Sequence, residues 1–231
     1  MVLTCSNLER RFAAPGGPVE VLAGASLELA AGEVVAVLGP SGSGKSTLLH
    51  LLGGLDRADA GQIWWGDFPV HEHTPSQLSE RRARYVGLVF QNHYLLSDLT
   101  LLENVSLPSR IIGHPDEERA TELLTQVGLE HRLHHTPSRV SGGERQRAAV
   151  ARALALRPAL ILADEPTGSL DRQRATDVLE LLLDLAAQQR ASVVIVTHDE
   201  SLMRAAGLPV VRLAEGRLGP KSAAAEAAAL T

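Results

Sequence analysis

"VVAVLGPSGSGKSTLLHLLG" (34–53) joins an unbroken apolar run, a glycine-rich turn and a helix-forming segment. A run with no polar alternation suits a strand buried on both faces of a mostly parallel sheet. The turn Gly39-Pro40-Ser41-Gly42-Ser43-Gly44-Lys45-Ser46 has the spacing G-x-x-x-x-G-K-[ST], between the strand and the helix (45–53) that this pattern requires. Its glycines let backbone N–H groups turn inward toward phosphate oxygens. The helix start adds about half a positive charge at the same spot. Lys45 is the candidate for reaching the β- and γ-phosphates of a nucleotide, and the Ser46 hydroxyl for ligating Mg²⁺. Thr47 completes the candidate binding loop.

Three further runs share the character of 34–38: "VGLVF" (86–90), "ALILA" (159–163) and "SVVIV" (192–196). A helix-length segment, 172–189, follows the run at 159–163, and strand-then-helix order predicts an α/β fold with helices on both sheet faces. Segments near 2–8, 19–29 and 62–65 read as antiparallel strands. Between about 92 and 157 the spacing is helical and no convincing strand is present. The expectation is a nucleotide-binding α/β core with an N-terminal antiparallel β subdomain (1–91 and 158–218). A helical subdomain is inserted at 92–157, and an alanine-rich tail follows at 219–231. No internal repeat is present.

The bulk numbers bound the function. Of 231 residues, 45% are hydrophobic and 21% charged, which is ordinary for a globular protein. A net charge of −5 argues against a nucleic-acid binder driven by a basic surface, although a local basic patch remains open. Cys5 is the sole cysteine, so no intrachain disulfide and no cysteine-based zinc site is expected. The opening "MVLTCSNLERRF" has no apolar run of signal-peptide length, and no run of about 18 apolar residues occurs, so membrane association is expected through a partner.

Carboxylates complete the first site. "LILADE" (160–165) ends a buried strand in Asp164, suited to holding Mg²⁺ directly or through water. Glu165 follows, placed to polarise a water in line with the γ-phosphate as general base. His198 ends "SVVIVTH", at the binding edge of an open α/β sheet, where it can hydrogen-bond the γ-phosphate. Gln91, just after "VGLVF", has the same geometry and can touch Mg²⁺ or the attacking water.

"SGGERQR" (141–147) raises a different question. Ser141-Gly142-Gly143-Glu144 reads as a capping box, in which Ser141 caps a helix and Glu144 reaches back from three residues on. The same helix end also reads as an anion site. The turn has no lysine of its own, and a nucleotide already has one cradle. A second anion site makes most sense facing the nucleotide of another copy.

These motifs together resemble the ATP-binding subunits of ABC transporters. "GPSGSGKST" resembles the Walker A loop, "LILADE" the Walker B strand, Gln91 the Q-loop glutamine and "SGGERQR" the signature. "SLD" (169–171), with Asp171, resembles the D-loop, and His198 the switch histidine. The motifs come in the family's order and span nearly the whole chain. The resemblance implies ATP and Mg²⁺ as ligands and a head-to-tail homodimer, each ATP lying between one copy's Walker A loop and the other's signature. It implies that Phe12 takes the position that stacks on adenine, where tyrosine is more usual; the other reading of Phe12 is a core residue. "STLLHLLGGLD", "FQNHYLLSDLTLLENVSLP" and "SGGERQRAAVARAL" are most similar to the lipoprotein-releasing member of a subgroup. That subgroup also holds macrolide-exporter and cell-division ATPases, and it likewise uses glutamate at position 144. The implied partner is an integral membrane permease with a large extracytoplasmic domain. The implied location is peripheral, on the cytoplasmic face of the inner membrane.

The stretch 93–108 is a candidate permease-docking groove, or else core of the helical insertion. His71, His73, His131, His134 and His135 lack acidic or cysteine partners and read as solvated surface rather than a metal site. Rival functions fit less well. The interval from 45 to 141 is too short for the long coiled coil of DNA-repair ATPases, and one cassette per chain differs from the translation type. A P-loop kinase or GTPase leaves the signature turn unexplained. A non-catalytic regulatory subunit predicts loss of Lys45, Glu165 or His198.

Overall fold

The computed structural model describes residues 1–222. Most of the alanine-rich tail (223–231) lies outside them. The chain forms β1 (Leu3–Phe12), β2 (Val19–Leu29), β3 (Val34–Leu38), α1 (Lys45–Leu52), β4 (Ala60–Trp65), β5 (Phe68–Pro69), α2 (Ser79–Tyr85) and β6 (Val86–Phe90). It continues with α3 (Leu101–Ile111), α4 (Glu117–Gln126), α5 (Gly142–Ala153), β7 (Leu160–Asp164), α6 (Arg172–Gln188), β8 (Ser192–Thr197), α7 (Glu200–Ala205), β9 (Val210–Ala214) and β10 (Arg217–Leu218).

Two sheets result: an antiparallel one ordered β2-β1-β4-β5 and a larger one ordered β10-β9-β3-β8-β7-β6. In the larger sheet β3, β6, β7, β8 and β9 are parallel, and β10 alone runs antiparallel. The α/β expectation holds, with its antiparallel β part and its helical insertion.

The continuous apolar runs are explained by what each face of the larger sheet covers. Ala36, Ile161, Ala163, Val193 and Ile195 point into one core, with α3, α4, α5 and α6. Their strand neighbours Val35, Val37, Leu160, Leu162, Val194 and Val196 point into a second core, with α1 and the antiparallel sheet. The period-2 alternation of a strand divides each run between two dry faces. It follows that α1 and α5 lie on opposite faces of one sheet.

Two contacts fix local geometry near the site. Gly87 of β6 lies so close to α5 that an added Cβ would sit 2.4 Å from the Ala153 carbonyl oxygen. Asn104 of α3 is fully buried, and its amide donates to the carbonyls of Leu96, Leu99 and Thr100 while accepting from Leu96 N–H. The turn before α3 is therefore pinned from beneath.

Candidate functional site

Residue for residue, the glycine loop is shaped by space and by backbone handedness. Gly42 (φ 79°) and Gly44 (φ 96°) occupy the left-handed region, which side-chain-bearing residues adopt with strain. A Cβ on Gly44 would lie 2.7 Å from the Val21 side chain, and one on Gly39 would lie 2.6 Å from Ser43 Oγ. Pro40 and Ser41 are exposed at the rim. Gly44 caps α1 without any side-chain hydrogen bond, and no acid lies in the first turn. The N–H groups of Lys45, Ser46 and Thr47 thus meet no competing side-chain cap at the positive end of the helix. Lys45 is buried, with Nζ donating to the carbonyls of Gly39 (2.9 Å) and Pro40 (3.1 Å). Ser43 Oγ is buried with no hydrogen-bond partner. A loop with an orphan hydroxyl, a buried ammonium and an open helix end fits an oxyanion such as phosphate.

The parallel strands bring the other candidates to the same edge. Ser46 Oγ donates to Asp164 Oδ1 at 3.1 Å. Burial pushes the Asp164 carboxyl above the usual carboxylate range, opposed by that hydrogen bond and by His50. A cation beside it would offset the desolvation, and an all-oxygen donor set suits a hard ion such as Mg²⁺. Glu165 follows Asp164 in the left-handed conformation (φ 44°). Its Oε2 accepts from Thr197 Oγ1 (2.9 Å). Its Oε1 lies 2.9 Å from His198 Nδ1 and 3.9 Å from Lys45 Nζ. The amide of Gln91 lies against Gly168 next to Glu165: a Cβ on Gly168 would meet Gln91 Nε2 at 3.1 Å and Glu165 Cβ at 3.5 Å.

Phe12 is 40% exposed, with the Arg10 guanidinium 4.7 Å from its ring centroid, so the core reading does not hold. It pairs with Val19 on β2, and Val21 of that strand touches Gly44, so the ring stands on the strand pair flanking the loop.

The second glycine turn is a capping box. Glu144 N–H donates to Ser141 Oγ at 3.2 Å, and Ser141 N–H donates to Glu144 Oε2 at 2.7 Å. Gly142 and Gly143 open α5, and Arg132 Nε donates to Glu144 Oε1 at 3.2 Å. Asp171 caps α6 through Arg174 N–H (3.1 Å). Among the described residues, no hydrogen bond or ion pair joins the turn at 141–144 to the loop at 39–47. The sheet stands between α1 and α5.

The donors from Ser141, and then Arg132, lower the Glu144 carboxyl from 4.5 to about 2. A depressed carboxylate stabilises the fold fully above its ordinary value, and that contribution is lost as pH falls toward the folded value. The wild type should therefore lose stability relative to Glu144→Gln as pH drops from 4.5 to about 2. Urea midpoints of the two proteins across that range measure it; parallel curves would show that the carboxylate carries no such linkage.

Of the histidines, His71 Nδ1 lies 3.0 Å from the Ile63 carbonyl, and His73 Nδ1 lies 2.9 Å from that of Pro69. His131 and His134 are exposed on a separate part of the chain, with His135 beside Arg132. Sequence reasoning passed over Thr197, Gln146 and Arg152. They lie inside stretches already singled out, but their partners are far away in sequence, so no local pattern gave them a role.

Fold and site define a nucleotide-binding α/β domain with a P-loop at its sheet edge. The sequence profile described as "ABC transporter" matches residues 22–168. The chain is 45% identical over 210 residues to the "Lipoprotein-releasing system ATP-binding protein LolD" of Acinetobacter baylyi (89% of this chain, 92% of that protein). It is 47% identical over 221 residues to the protein of the same name from Pseudomonas syringae pv. tomato (94% and 96%). A solved structure described as the dimeric, post-hydrolysis state of the ATP-binding cassette MJ0796 bound to ADP and Pi superimposes with a TM-score of 0.87. It is 33% identical and covers 96% of this chain and 98% of that one. The chain belongs to the ABC transporter family, as an ATP-hydrolysing subunit.

Proposed function

We propose that two copies of this chain close over two ATP molecules and power a membrane permease that releases lipoproteins from the inner membrane. The observation that carries the paired site is the sheet lying between α1 and α5. The anion-ready turn at Ser141 and the loop at Lys45 open helices packed on opposite faces of the sheet, and no hydrogen bond or ion pair joins them among the described residues, so the turn serves the loop of a second copy. The dimeric cassette and the lipoprotein-releasing relatives support the same reading. Among the described residues, no helix is long and apolar enough to cross a membrane, so the membrane step falls to the partner.

Within each site the phosphates lie in the 39–47 loop, charge-neutralised by Lys45 and the α1 end, with Phe12 against the adenine ring. Glu165 takes a proton from water as its oxygen attacks the γ-phosphorus and the bond to ADP breaks. His198 and Thr197 hold that carboxylate in orientation. Ser46, Asp164 and Gln91 would hold Mg²⁺, which when bound neutralises phosphate charge. The Ser141 turn and Asp171 of the partner copy close the seam. Driving closure from 1:99 to 99:1 takes about 5.5 kcal/mol of differential binding. Charge-assisted hydrogen bonds at about 1.5–3 kcal/mol each, in two sites, reach that sum.

The permease, with its large extracytoplasmic domain, docks in a cavity of about 400 Å³ between α2, β6, α3 and α5, lined by Leu88, Phe90, Leu107, Pro108, Ile111 and Arg152; of the stretch 93–108, only Leu107 and Pro108 line it. Ile111 is 71% exposed at its mouth. Ile111→Glu should abolish co-purification with the permease and remove lipoprotein-stimulated turnover in proteoliposomes. Full stimulation in that variant would move the docking surface elsewhere. A wild-type complex that ignores lipoproteins would overturn the cargo.

A further inference from the structure

The segment just after Gln91 is strained, and it is held by the helix that the Ser141 turn begins. His93 (φ 60°) and Tyr94 (φ 47°) are consecutive non-glycine residues in the left-handed region, a conformation that persists only where surroundings impose it. The surroundings come from α5. Arg152 donates through Nη2 to the His93 carbonyl at 2.6 Å and through Nη1 to the Tyr94 carbonyl. Its planar fork places a separate N–H donor on each of two neighbouring carbonyls in fixed geometry, where a lysine brings one flexible ammonium. Gln146, 1% exposed, offers Oε1 to His93 Nδ1, while its Nε2 is buried with no partner. A buried amide left half-satisfied is costly and rare. Asn104 pins the following turn, so the freedom of the 91–95 segment is set by α5. The same Arg152 lines the cavity beside Phe90 and Ile111.

From this geometry we propose that Arg152 is a positioning residue: with Gln146 it clamps the strained 93–94 turn, and so sets where Gln91 stands beside Glu165. The inference rests on the proposed role of Gln91 in the hydrolytic site. It adds a direct physical link between the far end of the signature helix, the cavity wall and that glutamine. α5 is about 18 Å long at 1.5 Å per residue, with Ser141 at one end and Arg152 at the other. A shift of the helix at either end is felt at the carbonyls of His93 and Tyr94.

The test is a double-mutant cycle in the permease complex, with kcat and the KM for ATP measured for wild type, Arg152→Met, Gln91→Ala and the double variant. Arg152→Met keeps the apolar stem and removes the fork. It should lower kcat about tenfold with KM nearly unchanged, and should add nothing further in the Gln91→Ala background. Arg152→Lys, which keeps the charge but loses the rigid two-nitrogen fork, should fall between, and it serves if the methionine variant folds poorly. Additive losses, or a loss confined to the melting temperature, overturn the clamp while leaving Gln91 in its role. Undiminished kcat in Gln91→Ala overturns both.

Discussion

Glu165→Gln should lower ATP turnover by about 10²–10⁴-fold, the range that a positioned general base supplies, while ATP still binds. Glutamine keeps the shape and an acceptor oxygen for Thr197, so the strand ends stay in place; what it loses is the capacity to take a proton from water. Binding is carried elsewhere, by the open end of α1, by Lys45 and by the glycine loop. Uncleaved ATP should therefore hold the two copies together. Size-exclusion chromatography with ATP should show a stable dimer where the wild type returns to monomer. Single-turnover hydrolysis reads the chemical step directly. Unchanged turnover would remove Glu165 from the base role and leave Asp164 or a histidine to be tested in its place.

Ser141→Arg should leave ATP binding by a single copy intact and prevent the pair from closing. Within one chain α5 and α1 pack on opposite faces of the sheet, and residue 141 makes no hydrogen bond or ion pair with the 39–47 loop among the described residues, so binding to that chain's own loop should persist. Across the seam, a long side chain occupies the space that the partner's phosphate needs. A charge-assisted contact is worth about 1.5–3 kcal/mol, and a symmetric pair contains two. Closure should therefore weaken by about 10²–10⁴-fold, with hydrolysis falling alongside. The variant also loses a helix cap worth about 1 kcal/mol. Ser141→Ala loses the same cap without the bulk and is the control for stability. Normal hydrolysis by Ser141→Arg with permease present would end the shared-site reading.

Much of the fold was legible because burial on both faces writes itself into sequence as unbroken apolar runs. The runs at 34–38 and 86–90 coincide with β3 and β6. The glycine loop was legible because its chemistry is local, each glycine answering a nearby steric or handedness demand. The capping box was equally local, and Ser141 and Glu144 stand as their spacing predicts. What escaped was short or long-range. "SERRARY" forms α2 with no buried residue, so no apolar periodicity marked it. β10 is a two-residue strand at the sheet's edge, and β9 beside it is broken by the exposed Arg212 rather than uniformly apolar. Thr197 was hidden inside an apolar run, and its bond to Glu165 exists only once β7 and β8 are paired. Arg152 sits in an ordinary helical sequence; its significance comes from two carbonyls nearly sixty positions away.

Gly87 leaves room for a hydrogen atom and nothing more between β6 and the last turn of α5. Because the atom it faces is a backbone oxygen of a helix packed on the sheet, a methyl group fits only if β6 or α5 shifts as a whole. The position therefore has almost no mutational latitude. A saturation library selected for function should return glycine at 87 nearly alone, a genetic fingerprint of two backbones fused into one moving part.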